Sequence, residues 1–385
     1  MLAITLWAVV GVNLAWPGVL GFSGHLKGED YAHFYVLGRI VRDGRLELLY
    51  DTPGQAAYLS SVIPGAPLTY FVPVYGPQVA LFFRLFASFP YLVSFGLWTA
   101  ATIVLYLSCC YAIWQRCGAL REFRTEVLIL AIGSPALWQL VVYGQNSAIA
   151  LATLTFGWIL LRAQRPALAG LVLGVLFYKP QLALAAVVLL LATSEWRALA
   201  MVAASAIAQM LLAICLLGSA PPLDYLRTLL HLGEITALLE PKPYQMHSFR
   251  ALFTLLGSSP FLATVLSIGC AAGTMIVVVR HWRIGGDPLI SFALLLLATV
   301  LISPHTTVYD LVIIAPALMI VADRLLSATV SGPATSTLWV LVGALFLLPL
   351  GSHYSRFVHI QPSVICMTAL LWWQARGGRL LRSFA

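Results

Sequence analysis

The sequence predicts an all-α polytopic membrane protein, with about twelve transmembrane helices and a structured first extracytoplasmic loop. Three observations predict it. Of the 385 residues, 61% are hydrophobic and only 9% are charged, against about 25% charged in a soluble domain. Apolar windows recur along the whole chain between Pro, Gly or charged punctuation. Lys and Arg are distributed unevenly among the loops that separate them. The formal net charge of +8 therefore reflects membrane orientation, and no nucleic-acid partner is implied.

The windows lie near 2–20, 91–115, 125–143, 147–162, 166–179, 180–193, 197–217, 260–280, 288–303, 308–327, 336–350 and 361–376. The first has no basic leader and no small-residue cleavage site before Gly21, so it reads as a retained helix and not a signal peptide. Residues 78–89, between Pro77 and Pro90, would reach only about 18 Å as a helix, against about 30 Å of hydrocarbon. This piece reads as re-entrant or superficial. With it not spanning, one set of loops holds twelve of the 22 Lys and Arg in 48 residues. The opposite loops are far longer and hold ten. The basic side is cytoplasmic by the positive-inside rule, with both termini inside. Residues 1–385 then form a single integral-membrane domain with two large extracytoplasmic loops, 21–90 and 218–259. The six cysteines (Cys109, Cys110, Cys117, Cys215, Cys270 and Cys366) all fall outside those loops, so no structural disulfide is expected.

The first loop opens on Gly28-Glu29-Asp30-Tyr31-Ala32-His33. Two adjacent carboxylates at a membrane mouth are costly to keep and are functional candidates. Tyr31, Phe34, Tyr35, Gly38 and Val41 recur at helical spacing, so 31–42 reads as a helix on the membrane surface with Asp30 at its N-cap. Asp43-Gly44 ends it, and Tyr50-Asp51-Thr52-Pro53 starts another. The proline-rich stretch 64–77 is irregular. His25, Asp30 and His33 are too loosely spaced for a metal site and read as surface residues; no metal or cofactor is expected.

Several pieces, taken in order, resemble glycosyltransferase family 87 of the GT-C superfamily. They are Asp30-Tyr-Ala-His-Phe-Tyr35 with Gly38-Arg39 and Tyr50-Asp51; Phe71-Val-Pro-Val-Tyr-Gly-Pro77 with Ala80-Leu-Phe-Phe83 and Phe89-Pro-Tyr91; Trp98; Gly144-Gln-Asn146; Arg165-Pro166 and Gly170 through Lys179-Pro-Gln181; Ser248-Phe-Arg250; and Ser303-Pro-His305 through Tyr309-Asp310-Leu311. At 73–77 the family often has Tyr-Pro-Pro, which this chain lacks. The resemblance implies a GT-C fold and transfer of a sugar at the outer leaflet. The donor would be a polyprenyl-phosphate sugar and the acceptor a lipid or glycan hydroxyl. Mannose is the sugar it implies first, with arabinofuranose or another pentose as the alternative.

On that resemblance Asp30 is the general base and Glu29 the runner-up. No Asp-x-Asp pair occurs, which fits a lipid-phosphate donor over a metal-bound nucleotide sugar. The departing phosphate calls for cations on the outer side: Lys179 in the turn with Pro180, His247 and Arg250 after the second loop, and His305 in Ser303-Pro-His305. Gln145, Asn146, Gln181, Tyr31 and Tyr35 are substrate-contact candidates, although Gln145 and Asn146 also suit a plain turn. Arg39 suits a lipid headgroup. Asp310, opening the span at 308–327, is placed to pair with a cation. Two other classes compete, a transporter or flippase of lipid-linked glycans and a non-catalytic glycolipid-binding subunit. Charges gathered at the outer surface disfavour the first of these, since transporters place them near the midplane.

Overall fold

The structure, a computed structural model, describes residues 1–231, 242–327 and 333–380. Among these residues it is all-helical, and the only extended pairings are isolated bridges of Leu20 with Leu26 and Met246 with Thr307. The first half contains α1 (Leu2–Ala15), α2 (Glu29–Arg42), α3 (Thr52–Val62), α4 (Pro77–Phe86), α5 (Tyr91–Trp114), α6 (Arg124–Ile132), α7 (Pro135–Tyr143), α8 (Ser147–Arg162), α9 (Pro166–Gly174), α10 (Pro180–Ala192) and α11 (Trp196–Leu217). After α12 (Ala220–Leu230) the longer helices are Pro260–Arg283, Pro288–Ile302, Ala315–Ser327, Pro333–Leu347 and Pro362–Leu380.

Four segments are long and apolar enough to cross a membrane: Tyr91–Trp114, Arg124–Tyr143, Trp196–Leu217 and Pro260–Arg283. Among the described residues, seven further apolar helices run 10–17 residues, including Leu2–Ala15, Ser147–Arg162, Pro180–Ala192 and Pro288–Ile302, short of the roughly 20 that a crossing needs. Helix length therefore supports a helical membrane protein but not the expected dozen full spans. Pro288–Ile302 shows that an apolar window need not face lipid. Thirteen of its fifteen residues are buried, packed by Pro260–Arg283, Ala315–Ser327, Pro362–Leu380 and α10. A helix apolar all round can be shielded by protein as well as by lipid.

The helix expected on the membrane surface is a core element. Ten of the fourteen residues of α2 are buried, because α4 packs along it and α5 closes it from another side. Phe34 stacks on Phe83 at 4.8 Å, and Tyr31 meets Phe95 at 5.5 Å and Trp98 at 6.3 Å. The doubtful stretch at 78–89 becomes α4, ten residues that bury Val79, Ala80 and Phe83. It is too short to span and serves as the packing partner of α2.

The entry to α2 is held by backbone contacts. The Lys27 ammonium donates to the carbonyls of Leu14, Trp16 and Gly18 at 3.1, 2.6 and 2.8 Å. All three of its protons thus serve carbonyls at and beyond the end of α1, where helical partners run out. The Tyr91 hydroxyl bonds the Lys27 carbonyl. Gly28, the N-cap, is left-handed at φ 66°, and a Cβ there would lie 2.5 Å from the Phe95 ring. Only glycine fits, and it sets the angle at which Glu29 and Asp30 leave the loop.

Candidate active site

A cavity of about 700 Å³ opens beside the first turn of α2. One wall is α1, through Val10 and Asn13, with His25 and Leu26 of the following loop. Trp138 and Tyr143 of α7 form a second wall, and Lys242, Gln245, His305 and Tyr309 close the far side with His353. Apart from the residues on α1 and α7, the lining comes from the two long loops and from the short connections at 303–309 and 351–360, all of which the charge count assigns to the same side.

Asp30 and Glu29 both line this cavity. Asp30 lies inside the first turn and does not cap the helix, since the cap is Gly28. Glu29, the runner-up base, stands beside it. It is itself the first helical residue, so the two carboxylates share the turn and the cavity. Burial pushes the Asp30 carboxyl up to about 6, and the Glu29 charge adds to the rise. Opposing it is a hydrogen bond from Gln145 Nε2 to Asp30 Oδ2 of 2.9 Å. The positive end of α2 also favours the ionised form. Asp30 is therefore poised near neutrality, where a general base works best.

Gln145 is oriented by its own backbone. Its Oε1 accepts the Asn146 N–H at 3.1 Å, which leaves Nε2 to donate to Asp30 and to the Tyr309 hydroxyl, 3.1 Å away. The turn carrying it is pinned to α2. Gly144 is left-handed, and a Cβ on it would fall 2.6 Å from Tyr31 Cβ. Trp98 Nε1 donates to the Gly144 carbonyl at 2.9 Å. Separate motifs of the sequence, Tyr31, Trp98 and Gly144-Gln145, thus meet at one point.

Behind Tyr309 lies a second carboxylate that is fully compensated. Asp310 Oδ1 is 3.3 Å from Lys179 Nζ, with the two side chains 2% and 7% exposed. Asp310 also accepts from the Ser147 hydroxyl and from the Thr307 N–H, the latter at 2.9 Å. Lys179 is therefore the cation that pairs with Asp310, and its ammonium sits 5.5 Å from the centre of the Tyr309 ring. The site contains one neutralised acid, Asp310, and two, Glu29 and Asp30, that face the cavity without a salt bridge among the described residues.

Other expected contacts fall differently. Tyr31 and Tyr35 are core residues and do not line the cavity, because the α4–α5 packing encloses them. The Tyr31 hydroxyl bonds Ser94, and the Tyr35 hydroxyl donates to the Phe89 carbonyl at 3.0 Å. His247 is 1% exposed, its Nδ1 is 2.7 Å from the Ser363 hydroxyl, and burial lowers its pKa to about 4. That burial favours the neutral ring. His33 is buried and not superficial, stacked on Phe71 at 4.6 Å. Asn146 is 1% exposed, behind the cavity, with no side-chain hydrogen-bond partner among the described residues. Gln181, in the first turn of α10, and Arg250, in the short helix Phe249–Leu255, are half-buried and outside the cavity lining. Arg39 pairs with Asp43 at 2.9 Å. His305 does line the cavity.

Sequence reasoning missed Trp138, Tyr143, Lys242 and His353 as lining residues. Nothing local sets the aromatic pair apart from residues of an interface belt, and nothing local distinguishes Lys242 or His353.

Fold and site together define a helical membrane protein with a cavity-facing acid. The family profile of glycosyltransferase family 87 matches residues 73–304, more than half of the chain. The chain belongs to that family, and it is a glycosyltransferase. The match includes Gln145, Lys179 and the α4–α5 packing but ends short of Asp30 on one side and Tyr309 on the other. Comparisons with curated proteins and with solved structures give no match.

Proposed function

We propose that the chain transfers a sugar, mannose first, from a polyprenyl-phosphate donor to a hydroxyl of a lipid or glycan acceptor. The fold is of the GT-C kind, the reaction proceeds with inversion, and the site faces the outer leaflet with both termini cytoplasmic. The observation that carries the reading is Asp30: a half-buried carboxylate facing the cavity, its pKa raised by burial to about 6, held by Gln145 and without a salt bridge among the described residues. Asp30 takes the proton of the acceptor hydroxyl, whose oxygen bonds to the anomeric carbon as the bond to the phosphate oxygen breaks. The electron pair leaves with the lipid phosphate. His305 and Lys242, on the far wall, balance the charge on that phosphate, the kind of electrostatic stabilisation that usually contributes most. Lys179 serves instead through Asp310 and Tyr309.

Purified protein supplied with polyprenyl-phosphate-mannose in the presence of chelator should transfer sugar. Asp30→Asn should lose about 10²-fold or more of that rate, the scale of general-base catalysis. Near-normal transfer by Asp30→Asn, or transfer only from a nucleotide sugar with a metal, refutes the reading.

A further inference from the structure

A second pocket, of about 460 Å³, is built from the same two long loops but shares no lining residue with the cavity at Asp30. Its walls include Tyr50, Tyr70 and Phe71 from the first loop, with Arg227, Thr228 and His231 at and just beyond the end of α12. The volume lies within the range of small-ligand sites, about 300–1,000 Å³.

The aromatic wall is rigid. Phe71 is backed by His33, the two rings parallel within 3° at 4.6 Å. The Tyr50 hydroxyl is committed to the Tyr75 carbonyl at 3.1 Å, and its ring leans on Tyr225 at 6.2 Å. Tyr70 is 61% exposed at the rim, a large aromatic with most of its ring uncovered. Opposite this wall, Arg227 carries no surplus charge, because Asp224 Oδ1 lies 2.7 Å from its Nη1. His231 Nδ1 donates to the Arg227 carbonyl at 2.8 Å, so Nε2 is the ring nitrogen left for a ligand. Thr228 adds a hydroxyl. Rigid aromatic faces opposite balanced, mixed donors and acceptors suit a ligand with an apolar C–H face and a rim of hydroxyls. They do not suit an anion, which needs uncompensated positive charge.

We infer that this pocket binds a neutral saccharide, a sugar unit of the glycan acceptor or product held apart from the reacting hydroxyl. Only the word acceptor rests on the reading of Asp30. Binding itself does not, and the test needs no turnover.

The test uses full-length Asp30→Asn protein in nanodiscs and a panel of neutral pyranose and furanose disaccharides, including mannobiose, observed by saturation-transfer NMR. At least one disaccharide should bind. Adding Tyr70→Ala should weaken it by about tenfold or more, the equivalent of one lost stacking contact. Tyr70→Trp should retain binding, and Trp138→Ala, in the other cavity, should leave it within about twofold. Tyr70 is exposed, so its variants report on binding and not on folding. Binding by none of the sugars, indifference to Tyr70→Ala, or displacement by inorganic phosphate overturns the inference. An active Asp30→Asn enzyme would refute the base and leave this result standing.

Discussion

Replacing Gln145 with Leu tests whether Asp30 acts as a base tuned by that amide. The side chain keeps much of its bulk but loses the 2.9 Å bond to Asp30 Oδ2. A hydrogen bond to a charged group contributes about 1.5–3 kcal/mol, and each pKa unit corresponds to about 1.36 kcal/mol. Because the Tyr309 hydroxyl also stabilises the carboxylate, the smaller figure applies, a rise of about one unit. Asp30 moves from about 6 to about 7. At pH 6 its ionised fraction falls from about a half to about a tenth, and at pH 8.5 the two proteins are nearly equally ionised. Transfer from polyprenyl-phosphate-mannose, measured as kcat/KM between pH 5 and 9, should therefore drop about fivefold at pH 6 and recover at pH 8.5. A loss of the same size at every pH would mean that Gln145 positions substrate only, and the tuning argument would fail.

Glu29→Gln should move the acid limb the other way, to lower pH, because the Glu29 charge raises the pKa of Asp30; an unmoved limb would show that the two carboxylates do not interact. Asp30→Asn should stabilise the protein as it inactivates it. A carboxyl held at about 6 against an ordinary 3.8 binds its proton more tightly when folded, so stability is full below pH 4 and falls as pH rises through 6. The neutral amide removes up to about 3 kcal/mol of that loss, and a thermal midpoint at pH 7.5 no higher than that of the parent contradicts it. Asp310→Asn should be destabilising by about 3–5 kcal/mol through the stranded Lys179 ammonium, and the double variant with Lys179→Met should recover part of it; additive losses in thermal denaturation would deny the coupling. Membrane-impermeant thiol reagents on intact cells should label Ser60→Cys but not Arg121→Cys, and the reverse pattern inverts the proposed topology.

Composition and local pattern determined much of this protein. The low charge content and repeated apolar windows specify helices in a membrane. Asp43-Gly44 ends α2 as read, Thr52-Pro53 opens α3, and Pro77 and Pro90 bracket α4, because turn and helix-end chemistry is local. The acid at Asp30 was legible because a carboxylate at a membrane mouth is costly wherever the chain goes next. Tertiary structure decided what local pattern cannot encode. Periodicity reports one face of a helix, so it read α2 as half-exposed, while α4 and α5 in fact cover it on more than one side. Hydropathy does not distinguish lipid from protein as the apolar neighbour, so it could not show that Pro288–Ile302 is enclosed by other helices. Lys179 reads as a free cation until packing brings Asp310, 131 residues along the chain, within 3.3 Å of it. Gln145 reads as a turn residue until the left-handed Gly144, pressed against Tyr31, turns its amide onto an acid 115 residues away. Charge compensation depends on distance in space, and only the folded chain sets those distances.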